Sequence, residues 1–422
     1  MLTAPDPEAH QVNPPVPRAD EATWPAYAAL ALAWLTTRVI AVVSVDLTPW
    51  MLNDLVIYEG WLAPLGNGAF PADDPTWQYP PGIAPFFLAT GVLAIDYRWA
   101  FTLAILLIDA LVMAVLLLAH SRRPDSSWLG PWLWALAGVI VGSIMVVRFD
   151  VVPTLLAVLA ILMVARPART GVAAALGFTV KVWPALMLFI VPRRHLPAAV
   201  ASFTVTVALV LGAFALLTDD ALSFLANQQA RGLQVESVGA LPYEVFTLLG
   251  GEVEFGLKYG SIQVLMDGAE TVGLVLTLTG LALFALIAWW RLAGRLEAVP
   301  PADVALTVML VSVATSRVYS PQFNVWLIGI TAVMLLDPRT RLRRVAAIVV
   351  VVAMLTQVVY PWSATQLVNG DPLTIIVQGL RVTGIVVATV MALLTIGGRS
   401  HAQLVRSRGV PVDRGGPPGL SA

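Results

Sequence analysis

Long apolar runs follow one another along almost the whole chain, and this constrains the fold before anything else. They fall at roughly 25–45, 99–119, 128–147, 151–165, 170–180, 182–192, 196–217, 271–290, 303–316, 322–336, 345–361 and 373–396. About 20 helical residues cross the hydrocarbon of a bilayer, so each longer run suits one crossing. Of 422 residues, 58% are hydrophobic and only 12% charged, more apolar surface than a soluble core can bury. The expectation is an all-α, polytopic membrane protein with about 12 transmembrane helices. Ala-, Val- and Arg-heavy usage resembles that of high-GC bacteria and points to a bacterial plasma membrane.

Residues 1–23, rich in Pro and acids, lack the basic start of a signal peptide and read as a disordered cytoplasmic tail. Residues 397–422, with four arginines and several Gly and Pro, read as a second, basic one. The transmembrane domain is then 24–396.

Charge decides the orientation. The run 82–95, GIAPFFLATGVLAI, either spans or lies at the surface. If it does not span and the N-terminus is cytoplasmic, 17 of the 25 basic residues fall inside, six outside and two within spans. If it spans, every later loop changes side and the positive-inside rule fails almost everywhere. Residues 82–95 are therefore expected as an interfacial or re-entrant helix, with both termini cytoplasmic. Two long outer loops follow, about 46–98 and 218–270, and the inner loops are short and basic. Long loops with polar and aromatic residues of their own are commonly functional, which puts the chemistry on the outer face.

Several polar groups collect there. NDLVIYEGW, residues 53–61, places Asp54, Tyr58, Glu59 and Trp61 just beyond the first span. WQYPPG adds Trp77, Gln78 and Tyr79. Aromatics with Gly and Pro build rigid surfaces on which sugars stack; an aromatic belt at the membrane boundary is the plainer explanation. VVRFDVVP brings Arg148 beside Asp150, and LGFTVKVWPALMLF brings Lys181. A cation in an apolar stretch needs a partner. Either these make structural ion pairs, or Arg148 and Lys181, with Arg38 and Arg381 as further candidates, hold a phosphate at the lipid–water boundary. The second loop contributes Arg231, Gln234 and Glu236, and TSRVYSPQFNVW contributes Arg317 and Gln322, as sugar- or acceptor-binding candidates.

Other chemistries are poorly served. There is no cysteine, and His10, His120, His195 and His401 all map to the cytoplasmic side, so no zinc site is expected. Asp73-Asp74 is adjacent rather than spaced D-x-D, which leaves divalent-metal assistance open and weakly supported. There is no phosphate-binding glycine loop, and a net charge of −1 gives no footprint for nucleic acid. A lone outer carboxylate, aromatic platforms and boundary cations fit glycosyl transfer from a lipid monophosphate sugar. A base takes the acceptor proton, and cations stabilise the departing phosphate. No cofactor is needed, and the partners are the lipid-linked donor, a lipid-linked glycan or glycolipid acceptor, and membrane lipid. A multi-pass transporter or lipid flippase is the alternative of another class, but no two-half repeat is visible and the polar groups gather at one face.

The ordered set NDLVIYEGW, WQYPPG, RFDVVP, ALGFTVKVWPAL and SPQFNVW resembles glycosyltransferase family 87, actinobacterial polyprenyl-phosphate-sugar transferases of the GT-C fold, over about residues 30–335. The resemblance implies a GT-C-like bundle whose long first outer loop carries juxtamembrane helices, with Asp54 as catalytic base. It implies a mannosyl- or arabinofuranosyltransferase, mannose being the first choice. The outer-face histidine of some relatives has no counterpart here.

Overall fold

The computed structural model describes residues 24–229 and 231–408. The expected tail 1–23 and the end of the second tail, 409–422, lie outside them.

In chain order the helices are α1 (Trp24–Val45), α2 (Asn53–Gly60), α3 (Leu62–Gly66), α4 (Ala84–Gly91), α5 (Tyr97–Ser121), α6 (Leu129–Ile140), α7 (Ile144–Val147), α8 (Val151–Leu162) and α9 (Pro167–Val180). The 3-10 helix Trp183–Ile190 leads to α10 (Leu196–Leu217), α11 (Phe224–Gln229) and α12 (Leu241–Leu248). After a hairpin come α13 (Ala269–Leu292), α14 (Pro301–Ala314), α15 (Phe323–Leu336), α16 (Arg343–Gln357), α17 (Ala364–Val368) and α18 (Pro372–Arg408). The hairpin pairs β1 (Phe255–Lys258) with β2 (Ser261–Val264), a departure from the expected all-α fold. Its two-residue turn, Tyr259-Gly260, has positive φ at both positions, 53° and 70°, the geometry that suits the twist of paired strands.

Six helical segments among the described residues are long and apolar enough to cross a membrane: α1, α5, α10, α13, α16 with its continuation to Trp362, and α18. Their outer faces carry exposed apolar side chains, such as Leu32, Leu35 and Val39 on α1 and Leu274, Leu278 and Leu281 on α13. The shorter apolar helices α6, α8, α14 and α15 fill the centre; nearly every residue of α14 and α15 is buried. The expectation of about 12 spans, some of them short, meets two classes of helix. The central helices have 12 to 14 residues, about 18–21 Å at 1.5 Å per residue. That is well short of the outer ring and of a hydrocarbon core of about 30 Å. The run expected at 182–192 is a 3-10 turn sequence, Trp183–Ile190, with Pro184 in its first turn.

Residues 82–95 form the short α4, only eight residues long and preceded by Pro80 and the 3-10 turn Pro81–Ile83. A Cβ at Gly82 would lie 2.6 Å from the Thr179 carbonyl oxygen, so the loop seats on the end of α9 only because residue 82 is glycine. Within the stretch expected as the second tail, the described residues 397–408 continue α18. The segment AQLVRSR contains good helix formers, and the next proline is Pro411.

Candidate active site

The short central helices leave a recess at one end of the bundle, and the two long loops roof it. The result is a cavity of about 1330 Å³. Asp54 stands in the first turn of α2, where a negative charge complements the helix N-terminus. Its carboxylate pairs with the guanidinium of Arg148; both side chains are about one-sixth exposed, at 17% and 15%. Arg148 follows α7 in extended backbone, which turns its side chain towards α2. Its Nη1 also donates to the Tyr58 hydroxyl at 3.4 Å. Tyr58, one turn after Asp54, is locked among Phe87, Trp61 and Phe101 at 5.0, 5.2 and 5.5 Å. Burial raises the Asp54 carboxyl above its ordinary value, and Arg148 works against that rise.

Lys181 repeats the device: it follows α9 in extended backbone. Its Nζ donates to Asp150 at 2.5 Å and lies 4.8 to 5.2 Å from the rings of Phe149, Trp326 and Tyr79. Asp150 also accepts from Trp326 Nε1 at 2.6 Å. Of the two alternatives raised by the sequence, the structural ion pair is the one the fold shows for these cations. Each makes an ion pair, and each still lines the cavity.

Asp54, Tyr58, Trp61, Gln78, Tyr79, Arg148, Lys181, Arg231, Gln234, Glu236, Arg317 and Gln322 all line this one cavity. Four candidates do not. Glu59 is exposed on the other face of α2, as five residues' spacing requires. Trp77 is fully buried beneath the platform, edge-on to Trp61 at 4.9 Å. Arg38 grips Asp109 of α5 with two bonds of 2.7 and 2.8 Å and the carbonyls of Trp134 and Ala135 on α6. Inside an apolar bundle such a cation must be fully paired, and that consumes it. Arg381 is fully buried and donates to Thr356, Gln378 and the carbonyls of Glu236 and Tyr319. It holds the floor of the second loop and has no face towards a ligand.

The two loops are fastened to each other. Asn227 donates to the Trp77 carbonyl at 2.9 Å, Gln228 to the Gln78 carbonyl at 2.6 Å, and Gln78 to the Tyr259 carbonyl at 3.1 Å. Asp74 is spent on Trp61 Nε1 and Thr76, a turn-forming role. Glu236 accepts from Gln234, and burial pushes its carboxyl up to about 7.

Five buried polar atoms on the wall have no hydrogen-bond partner among the described residues: Arg148 Nε, Trp183 Nε1, Arg231 Nε, Glu236 Oε1 and Gln322 Oε1. Buried polar groups are nearly always satisfied, so five in one cavity mark a ligand site. The model of glycosyltransferase family 87 matches residues 77–321, well over half of the chain. The chain belongs to glycosyltransferase family 87. A search of curated proteins found no match, and neither did a search of solved structures. This family 87 protein is thus a membrane glycosyltransferase, and the match includes the first loop from Trp77 onward, Arg148, Lys181 and the whole of the second loop.

Sequence reasoning did not select some parts of this family 87 site. Asp150 was visible only as a neighbour of Arg148, although it anchors Lys181. Tyr360, which lies in the cavity wall and in electrostatic contact with Arg148, was passed over. Its setting, Tyr360-Pro361-Trp362, has the same aromatic–proline composition as Tyr79-Pro80 and was the available signal.

Proposed function

We propose that the protein transfers a sugar from a polyprenyl-phosphate donor to a lipid-linked glycan or glycolipid on the outer face of the plasma membrane, with inversion and with Asp54 as general base. Mannose is the first donor sugar to test and arabinofuranose the alternative. The observation that carries this is the cavity carboxylate Asp54, partly exposed and held by Arg148. Glu236, the other carboxylate on the wall among the described residues, is 8% exposed and bonded to Gln234.

In the proposed step the acceptor hydroxyl oxygen attacks the anomeric carbon, and its proton passes to Asp54. The bond from that carbon to the phosphate oxygen breaks, and the phosphate leaves with the electron pair. Cations on the wall stabilise the charge it takes away. A cavity larger than the usual small-molecule site of about 300–1,000 Å³ leaves room for sugar, phosphate and acceptor together. The aromatic cluster around Tyr58 gives the rigid backing that a positioned base needs.

The arrangement of helices supports a GT-C-like bundle in which the central helices reach the recess from below. Irregular backbone at membrane depth is tolerated where it lines a wet cavity, and Arg148 and Lys181 sit at such breaks. The orientation is tested by cysteine labelling, which starts clean because the chain has no cysteine. Ala72→Cys should label from outside intact cells and Asp125→Cys should not; the opposite pattern reverses the assignment. The activity is tested by incubating purified protein with polyprenyl-phosphate mannose and polyprenyl-phosphate arabinose and lipoglycan acceptors. No transfer from either donor, with the protein folded, removes the proposal.

A further inference from the structure

Resting on that donor class, the structure assigns the phosphate to a different pair of cations from the one the sequence favours. Arg148 and Lys181 are each neutralised by a carboxylate, Asp54 and Asp150. Arg231 and Arg317 line the same cavity, and neither has a carboxylate partner among the described residues. They are braced against each other. Arg317 Nη1 donates to the Arg231 carbonyl at 3.1 Å, and the Arg317 carbonyl accepts from Gln234 N at 2.9 Å. Arg231 Nη2 meets Ser261 Oγ at 3.3 Å and Arg317 Nη2 meets Thr277 Oγ1 at 3.5 Å. Arg231 Nε is buried without a partner. Two guanidiniums on one cavity wall, each beside a hydroxyl, with donors to spare and no carboxylate partner among the described residues, suit a phosphate.

The surroundings say which way the rest of the donor runs. Beyond Arg317 the wall turns apolar, with Leu186 of the 3-10 helix, Phe284 of α13 and Phe323 of α15. Thr277 and Phe284 are two turns apart on α13, so the branch descends that helix by about 10 Å. It ends where Phe284 meets Phe189 at 5.8 Å. The outer face of α13 is apolar and exposed. We infer that Arg231 and Arg317 clamp the monophosphate of a polyprenyl chain whose first isoprene units lie along α13 from Thr277 towards Phe284. Asp54 and Tyr79 then face the sugar from the far side.

Binding of a fifty-carbon polyprenyl monophosphate, the matching polyprenol and inorganic phosphate to the purified full-length protein separates the contributions. The wild type and Asp54→Asn should prefer the lipid phosphate over the alcohol. Arg231→Gln and Arg317→Gln should each lower lipid-phosphate affinity about tenfold, with little change for the alcohol. Gln variants that bind the monophosphate like wild type overturn the clamp and leave the proposed activity standing. A wild type with no preference for phosphate overturns both. Inorganic phosphate competing as well as the lipid overturns the apolar path. Should the Gln variants not fold, p-benzoylphenylalanine in place of Phe284 decides the path: it should crosslink to the lipid phosphate. Crosslinking from position 50 (Trp50, on the cavity wall) and none from 284 would refute it.

Discussion

The guanidinium of Arg148 reaches both the carboxylate of Asp54 and the hydroxyl of Tyr58, one helical turn apart on α2. One cation from the α7–α8 junction therefore sets the position of the only partly exposed carboxylate on the cavity wall among the described residues. A base held this way loses little orientation entropy in the transition state.

Asp54→Asn keeps size and polarity but cannot take a proton. Turnover should fall by about 10²-fold or more, with the unfolding temperature and lipid-phosphate binding nearly unchanged. Glu59→Gln, exposed on the opposite face, should stay within about twofold of wild type. Steady-state transfer by the purified variants checks both, and a near-normal Asp54→Asn enzyme would end the assignment.

Arg148 lowers the Asp54 carboxyl against the larger upward push of burial. Removing the cation should therefore raise it further. In Arg148→Gln the acidic limb of the kcat/KM profile should move to higher pH, and Arg148→Lys should restore part of the shift. Profiles for the three proteins measured side by side would show it; an unmoved limb would mean Arg148 acts on packing alone.

Lys181→Met strands the Asp150 charge, whose side chain is 1% exposed. A loss of about 3–5 kcal/mol is expected, the usual cost of breaking a buried pair. Adding Asp150→Asn should recover most of it. Unfolding of Lys181→Met, Asp150→Asn and the double variant in the same detergent gives the coupling; additive losses would mean that the two charges are independent.

Glu236 and Glu244 are raised by burial to about 7 and about 8 from an ordinary 4.5. Between the unfolded and folded values the native state holds protons that the unfolded chain has released. Stability should fall as pH rises from about 4.5 to about 8 and be flat above. Glu236→Gln should reduce the slope below about 7 to roughly half and leave the part that Glu244 contributes, up to about 8. Melting temperatures across this range test the sign, and a rise with pH that Glu236→Gln leaves in place would contradict it.

The sequence by itself determined the membrane class, because no other environment accepts so many apolar runs. It also marked residues that the fold brings to one cavity. Asp54, Arg148, Lys181 and Arg317 stand beside ends of apolar runs, and polar side chains tolerated there are legible without coordinates. Charge parity leads to the expectation that 82–95 does not span, and the helix there, α4, has only eight residues. Tertiary structure decided how these charges are spent. Arg38 and Arg148 look alike in sequence, but Arg38 faces Asp109 on a neighbouring helix 71 residues away, whereas Arg148 opens on the cavity. Nothing local separates them, since pairing depends on which helix faces which. Likewise the hairpin turn Tyr259-Gly260 is local, but its place over Gln78 spans 181 residues. Partners across such distances are chosen by the packing of long lipid-facing helices around short central ones, and only the folded bundle expresses that difference in length.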